Sequence, residues 1–242
     1  MPERELIWLR EKYPDPTDYA SALARYRAGE PLAYLLGEQY FWRYRFTVTP
    51  DVLIPRPDTE RLVETALELL PPGGRFADLC TGSGAIALSI AADRTDLTAD
   101  ALDISANALR IARCNADALA VSDRVRLHLA DLFCDDPLEG EYDAILSNPP
   151  YIPAADIAHY PSLAYEPQIA LDGGTDGLDF YRAILCRFTC HLKDGGFFLF
   201  EIGYDQGEAI RMLSAAHGYD CTVLRDYGGN DRVAKLTQSI KS

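Results

Sequence analysis

Positive charge is scarce in this 242-residue chain: 23 Lys and Arg stand against 37 Asp and Glu, a formal net charge of -14. That balance opposes any hold on DNA or RNA through sequence-independent attraction to phosphates, and no direct nucleic-acid partner is expected. Nor does any stretch approach the ~18 consecutive apolar residues of a membrane span, so no membrane association is expected. The opening residues mix acids with bases and lack a long apolar run, unlike a signal or transit peptide. The six cysteines (80, 114, 134, 186, 190 and 221) contain no Cys-x-x-Cys pair, which makes a reduced, cytoplasmic setting the economical expectation. Cys186 and Cys190 lie four apart in a helix-like stretch, but no His or carboxylate spacing completes a metal site with them. They read as structural thiols, and no metal is expected. Internal repeats and low-complexity tracts are also lacking.

What is present falls into two electrostatically different regions. Residues 1–57 hold eight acids and eight bases, so the whole negative excess lies in residues 58–242. The first region carries helix-like stretches near 3–12 and 17–28, then an aromatic and β-branched run at 39–49 suited to a small hairpin. From about residue 60 the patterns alternate. A helix is expected at 60–70, strands at 75–80, 98–103, 125–130, 142–147 and 196–202, and helices at 84–93, 105–119, 176–192 and 206–217. The last two runs, 219–224 and 233–237, have too short a link for a crossover helix and should pair antiparallel. The expected architecture is α/β: a Rossmann-like seven-stranded sheet finished by an antiparallel hairpin, preceded by a small helical and hairpin region.

Phe76-Ala-Asp-Leu-Cys-Thr-Gly-Ser-Gly-Ala-Ile-Ala87 reads as a strand, a glycine turn and a helix. Gly82, Gly84 and Ala87 satisfy the G-x-G-x-x-G/A spacing, and Asp103 ends the next strand where an acid can hold ribose hydroxyls. A dinucleotide would set a pyrophosphate on the helix N-terminus; S-adenosylmethionine has none and brings an ammonium, a carboxylate and a sulfonium instead. Asp78, just before the turn, is placed to face that positive charge and so to bind the cofactor; the bland reading, that it hydrogen-bonds the turn's own amides, can hold in either case. Asp131 and Leu132, ending the third strand, offer an acceptor for an adenine amino group and an apolar flank, although Asp131 equally suits a helix cap.

Ser147-Asn-Pro-Pro-Tyr151 follows the apolar strand at 142–147, whose C-terminal end falls at the switch point of a doubly wound sheet. The Asn148 side-chain oxygen and the Pro149 carbonyl supply two acceptors for one planar NH2 group, with Pro150 rigidifying the segment and Tyr151 available to stack. Such a nitrogen shares its lone pair with a π-system. Holding both hydrogens while aiming the nitrogen at an electrophilic methyl group favours attack. The bland alternative is a strand-ending turn.

These motifs resemble those of the HemK-type protein-(glutamine N5) methyltransferases, across about residues 30–238. The shared features include Pro31 to Gly37, Leu53-Ile-Pro-Arg-Pro-Asp-Thr-Glu60, Asp78 to Ala87, Asn148 to Tyr151, Glu166-Pro167, Asp176 to Leu178, Glu201-Ile-Gly203 and Asp231 to Val233. The resemblance implies S-adenosylmethionine as cofactor and, as protein substrate, the glutamine of the Gly-Gly-Gln motif in peptide chain release factors. It places Cys80, Thr81, Gly82, Ser83 and Gly84 at the methionine end of the cofactor, Asp103 at ribose and Asp131 and Leu132 at adenine. Asn148, Pro149, Pro150 and Tyr151 would hold the glutamine. Arg56 joins the substrate-binding region to the catalytic domain or pairs with an acid, and Glu201 and Gln206 lie near the cleft edge or serve sheet-edge hydrogen bonding.

The chain departs from the family at Cys80, where glycine is commonest, and before Pro31, where the family's helical domain is longer. A monomer is expected, with 1–57 docking the substrate and 58–242 carrying the chemistry. The rival readings are an adenine-N6 methyltransferase acting on DNA or RNA, and a cofactor-binding module without catalysis. No side chain stands out as a general base.

Overall fold

The computed structural model describes residues 3–239. Two helices, α1 (Glu3–Lys12) and α2 (Pro16–Arg27), open the chain, α2 started by Asp15, whose carboxylate accepts from Thr17 N and Asp18 N. A short helix, α3 (Leu32–Leu36), ends at Gly37 with φ +76° and leads into the hairpin of β1 (Glu38–Phe41) and β2 (Tyr44–Thr47).

The main body begins with α4 (Glu60–Leu69) and β3 (Arg75–Leu79). There follow α5 (Ala85–Asp93), β4 (Thr98–Asp103), α6 (Ala106–Ala118), β5 (Val125–Leu129) and β6 (Tyr142–Ser147). After a long connection come α7 (Asp179–Arg187), β7 (Leu192–Glu201), α8 (Gly207–Ala216), β8 (Tyr219–Arg225) and β9 (Asp231–Gln238). The seven strands lie in the order β5-β4-β3-β6-β7-β9-β8. Six run in one direction, and β9 alone enters antiparallel, between β7 and β8, as the short link to β8 requires. The order reverses direction between β3 and β6, which brings the C-terminal ends of those strands together at the switch point.

Alternation along the strands builds two cores from one sheet. Phe76, Ala144, Leu146, Phe197 and Leu199 face one side, together with α4 and α5. Ala77, Leu79, Ile145, Phe198 and Phe200 face the other, against Tyr181, Ile184, Leu185 and Phe188. Helix α5 is apolar on every side and buried from Ala85 to Ala91. Its outer face is covered because the hairpin sends Phe41 and Phe46 into the same core.

Besides α3, which periodicity does not indicate, the structure differs from the pattern reading in three places. The helix expected over 176–192 is confined to α7 and followed by a 3-10 turn at Thr189–His191, since Gly177 lies at φ +73° and holds the chain out of helix before Asp179. Strand β7 starts four residues earlier than 196, pairing Leu192 with Tyr142 before a register shift. Between β6 and α7 run three 3-10 turns, Ile157–His159, Pro161–Leu163 and Gln168–Ala170.

Candidate active site

A cleft of about 1070 Å³, open to solvent, lies at the C-terminal ends of β3, β4, β5 and β6. Its wall includes Cys80, Thr81, Gly82 and Ser83 from the turn after β3, Asp103 after β4, Asp131 and Leu132 after β5, and Asn148 and Pro150 after β6. Asp78, Gly84, Pro149 and Tyr151 adjoin these segments without belonging to the wall.

Asp78 is fully buried and braces the turn: its Oδ2 accepts from the Thr81 hydroxyl at 2.6 Å and from Ala87 N at 3.3 Å. The brace expected of Asp78 is thus formed through Oδ2. Its Oδ1 has no partner, and burial raises the carboxyl pKa to about 7 against the opposing hydrogen bonds. Asp103 holds the turn from the other side, accepting Gly82 N and Ser105 N at 2.8 Å each. Burial raises its pKa, with those amides opposing. Gly82 has φ +57° and nothing within 4 Å of where a Cβ would stand, so a ligand can approach its backbone. Gly84, at φ +82°, would place a Cβ 2.6 Å from Leu88 Cδ1. Cys80 adopts φ +61°, which costs a non-glycine residue about 1–2 kcal/mol.

Asp131 closes a local turn, its Oδ1 accepting Phe133 N at 2.9 Å. Leu132 is buried in the cleft floor, and Phe133 packs edge-on against Phe180 at 5.0 Å between ring centroids. Phe133 is the apolar flank expected beside Leu132; Phe180, also on the cleft wall, lies 47 residues away in sequence and is not visible in the motif.

At the switch point the Ser147 hydroxyl donates to Leu79 O at 2.6 Å, tying β6 to β3 just before the Asn-Pro-Pro-Tyr segment. Asn148 Nδ2 donates to Thr59 Oγ1 at 3.3 Å, which leaves Oδ1 as the free end of the amide. The Pro149 carbonyl accepts no hydrogen bond among the described residues. Behind them, Gln206 Nε2 donates to the carbonyls of Tyr151 and Gly177 at 3.1 and 3.2 Å, while its Oε1 accepts Gly203 N. Gly173 fits so tightly that a Cβ would stand 2.7 Å from Tyr151 Cα. The backbone of the segment is therefore clamped from outside the cleft.

Two buried acids complete the surroundings. Glu166 binds the Arg56 guanidinium and accepts Ile54 N at 3.0 Å, which joins the arm before α4 to the long connection. That gives Arg56 the acid partner foreseen for it, and Arg56 also lines the cleft. Glu201 is 1% exposed, with Oε1 3.5 Å from the Tyr151 hydroxyl and Oε2 lacking a close partner. Burial raises its pKa to about 7; the Thr59 hydroxyl, Arg232 and Tyr151 pull against that, while Asp58 adds to it. Arg232 stands in β9 with Asp226 and Asp58 at 3.4 and 3.5 Å.

Cys190 lies near His191 and Asp136, a neighbourhood that the reading of the Cys186/Cys190 pair overlooked. His191 is engaged there by both Asp136 oxygens and by the Gly140 carbonyl, so an ion pair accounts for the cluster.

A family model described as the Methyltransferase small domain matches residues 58–160. The release factor glutamine methyltransferase of Neisseria gonorrhoeae is 46% identical over 229 residues, 92% of this chain and 83% of that protein. Its counterpart from Coxiella burnetii is 46% identical over 208 residues, covering 85% of this chain and 74% of that one. Among solved structures, a methyltransferase from Pyrococcus furiosus superposes with a TM-score of 0.62 at 18% identity, covering 91% of this chain and 100% of its own. A ribosomal protein L11 methylase from Lactobacillus delbrueckii superposes at 0.58 with 20% identity, over 84% and 90% of the two chains. Those two likenesses are of fold.

Proposed function

This chain belongs to the release factor glutamine methyltransferases, and from that premise we propose that it methylates the side-chain amide nitrogen of the Gly-Gly-Gln glutamine in a peptide chain release factor, using S-adenosylmethionine. The observation that carries this reading is the pair of free acceptors, Asn148 Oδ1 and the Pro149 carbonyl, at the end of β6 beside the cleft.

The residues present fit the cofactor. Gly82 leaves its backbone open to a ligand, Asp103 and Asp131 put carboxylates on the cleft wall, and Leu132 and Phe133 add apolar surface to it. In this reading Cys80, Thr81, Gly82 and Ser83 receive the methionine end, Asp103 the ribose, and Asp131 with Leu132 the adenine. Asp78 and Gly84 act one layer behind, by shaping the turn. When bound, S-adenosylmethionine supplies a methyl group made electrophilic by its sulfonium.

The chain itself orients and desolvates the acceptor. Asn148 Oδ1 and the Pro149 carbonyl take the two N–H groups of the substrate amide, turning its nitrogen lone pair out of conjugation. Pro149 and Pro150 are buried and hold the segment rigid, and Tyr151 backs the planar group. The nitrogen becomes acidic as it is alkylated and releases its proton to water, so no side-chain base is required.

We assign docking to residues 1–57 and the chemistry to residues 58–242. A second groove, lined by Tyr26, Pro31, Ile54 and Leu163, shares Arg56 with the cleft and offers a path for a protein loop. The enzyme works as a cytoplasmic monomer in this reading. All six cysteines are free, and among the described residues no helix is long and apolar enough to cross a membrane.

The deciding experiment supplies labelled S-adenosylmethionine with a release factor and an adenine-containing nucleic acid together, then locates the label. Label on the Gly-Gly-Gln glutamine is expected. Label on adenine would overturn the proposal in favour of the adenine-N6 reading.

A further inference from the structure

The acceptors of the Asn-Pro-Pro-Tyr segment must be held still, yet the segment has little with which to hold itself. Proline has no N–H, so Pro149 and Pro150 take two donors away from any local hydrogen bonding. From Pro149 to Tyr151 the backbone makes one hydrogen bond among the described residues: the Tyr151 carbonyl accepts from Gln206 Nε2 at 3.1 Å. Close packing shuts the remaining space, since a Cβ on Gly173 would stand 2.9 Å from the Pro150 oxygen and one on Gly177 would collide with the Tyr151 oxygen.

Gln206 suits this place by its chemistry. It is buried just before α8, where its own N donates to Gly203 O and its O accepts from Ile210 N, both at 3.0 Å. Three main-chain groups converge on its side chain: Gly203 N, which can only donate, and the carbonyls of Tyr151 and Gly177, which can only accept. One side-chain end must therefore offer an acceptor to the first and donors to the other two. A primary amide does so; a carboxylate has no donor, and an ammonium has no acceptor. Because main-chain partners cannot exchange roles, the Gln206 amide is satisfied in one orientation only.

We propose that Gln206 is a positioning residue: its amide holds the Tyr151 carbonyl from outside the cleft and so fixes the backbone from which Asn148 Oδ1 and the Pro149 carbonyl are presented. The inference rests on the methyl-transfer reading above. Proline rings set φ at about −65°, so little torsional freedom separates the Tyr151 carbonyl from that of Pro149. A hold on one is passed to the other. Gln206 does not line the cleft, and it acts on the geometry of attack without touching substrate or cofactor.

The test is a double-mutant cycle on the full chain: wild type, Gln206→Met, Asn148→Ala and the two together, with single-turnover methyl transfer to release factor and Kd for S-adenosylmethionine as readouts. Methionine keeps the length of the side chain and removes all three hydrogen bonds. The expected result for Gln206→Met is a rate lower by about 10- to 100-fold, the scale of a small misplacement of reacting groups, with Kd within about threefold. In the Asn148→Ala background the same change should cost less than about threefold, because the grip that Gln206 positions is already broken. A merely structural role would cost the same factor in both backgrounds. That outcome, or a full-rate Gln206→Met, would overturn the proposal. Should Gln206→Met fail to fold, hydrogen exchange of the wild type decides: side-chain amide protons of Gln206 that exchange like those of an exposed glutamine overturn the clamp, and protected ones support it. A wild type that leaves glutamine unmethylated would instead sink the function, while hydrogen exchange still reads the clamp.

Discussion

Gly82 and Gly84 stand two residues apart in the same turn, both at positive φ, yet a methyl group on each meets different surroundings. Replacing either with alanine should cost about 1–2 kcal/mol of backbone strain. Gly84→Ala adds a collision with Leu88, so its main effect should be a lower urea midpoint. Gly82→Ala meets no protein atom and projects its methyl where a ligand would lie, so cofactor affinity should fall out of proportion to stability. Calorimetric titration checks this, and unchanged S-adenosylmethionine binding by Gly82→Ala would remove Gly82 from the cofactor site. Asn148→Ala should cut methyl transfer by about a hundredfold or more while leaving the fold intact, as single-turnover rates would show. Glu201 makes a prediction in pH. Its folded pKa of about 7 lies above the ordinary glutamate value, so the folded state holds a proton that the unfolded state has lost. Its contribution to stability is full below about pH 4 and lost as pH rises toward 7. Urea unfolding of Glu201→Gln from pH 4.5 to 8 should therefore fall less steeply than wild type; parallel curves would mean that Glu201 does not titrate in this window.

At the scale of elements, the hairpin is fastened to the cofactor turn through polar contacts. Asp93, at the end of α5, accepts the Trp42 indole N–H at 2.8 Å and the Tyr44 hydroxyl at 2.6 Å. Asn115 in α6 is 1% exposed; it accepts Thr47 N and donates to the carbonyls of Thr47 and Ser83. Changing Asn115 to Asp deletes both donors and leaves a buried carboxylate facing two carbonyls. The expected loss is about 2–4 kcal/mol of stability with weakened cofactor binding, read by denaturation and titration. None of this network is visible in motif spacing. Strand and helix periodicity, the Gly82 turn and the switch-point position of Asn148 were legible because each is local or follows from strand order. The roles of Thr59, Glu166 and Asn115 were not, since each depends on partners 68 to 112 residues away meeting in space. Helix α3 escaped for a related reason: five residues carry little periodicity, and its Tyr34 is held by Val52 O from the following arm.

For the whole molecule, the excess of negative charge belongs to residues 58–242, around a cleft whose wall carries Asp51, Asp103 and Asp131. A release factor loop that arrives with basic residues should be steered toward it. The value of kcat/KM for release factor should accordingly fall several-fold as salt rises from about 50 to 500 mM, because the Debye length shrinks below contact range. The Kd for S-adenosylmethionine should move much less, and equal salt dependence of both would argue against steering. The order of strands adds a consequence in time. The glycine turn, Asp103 and Asn148 are all made before the chain reaches residue 150, whereas Arg232, beside Glu201, belongs to β9, which is threaded between β7 and β8 at the end of synthesis. On a ribosome the glycine turn and its acids come early, but Phe180 of the cleft wall and Arg232, which pairs with Asp58, come late. A growing chain should gain a complete cleft only as its last third is made.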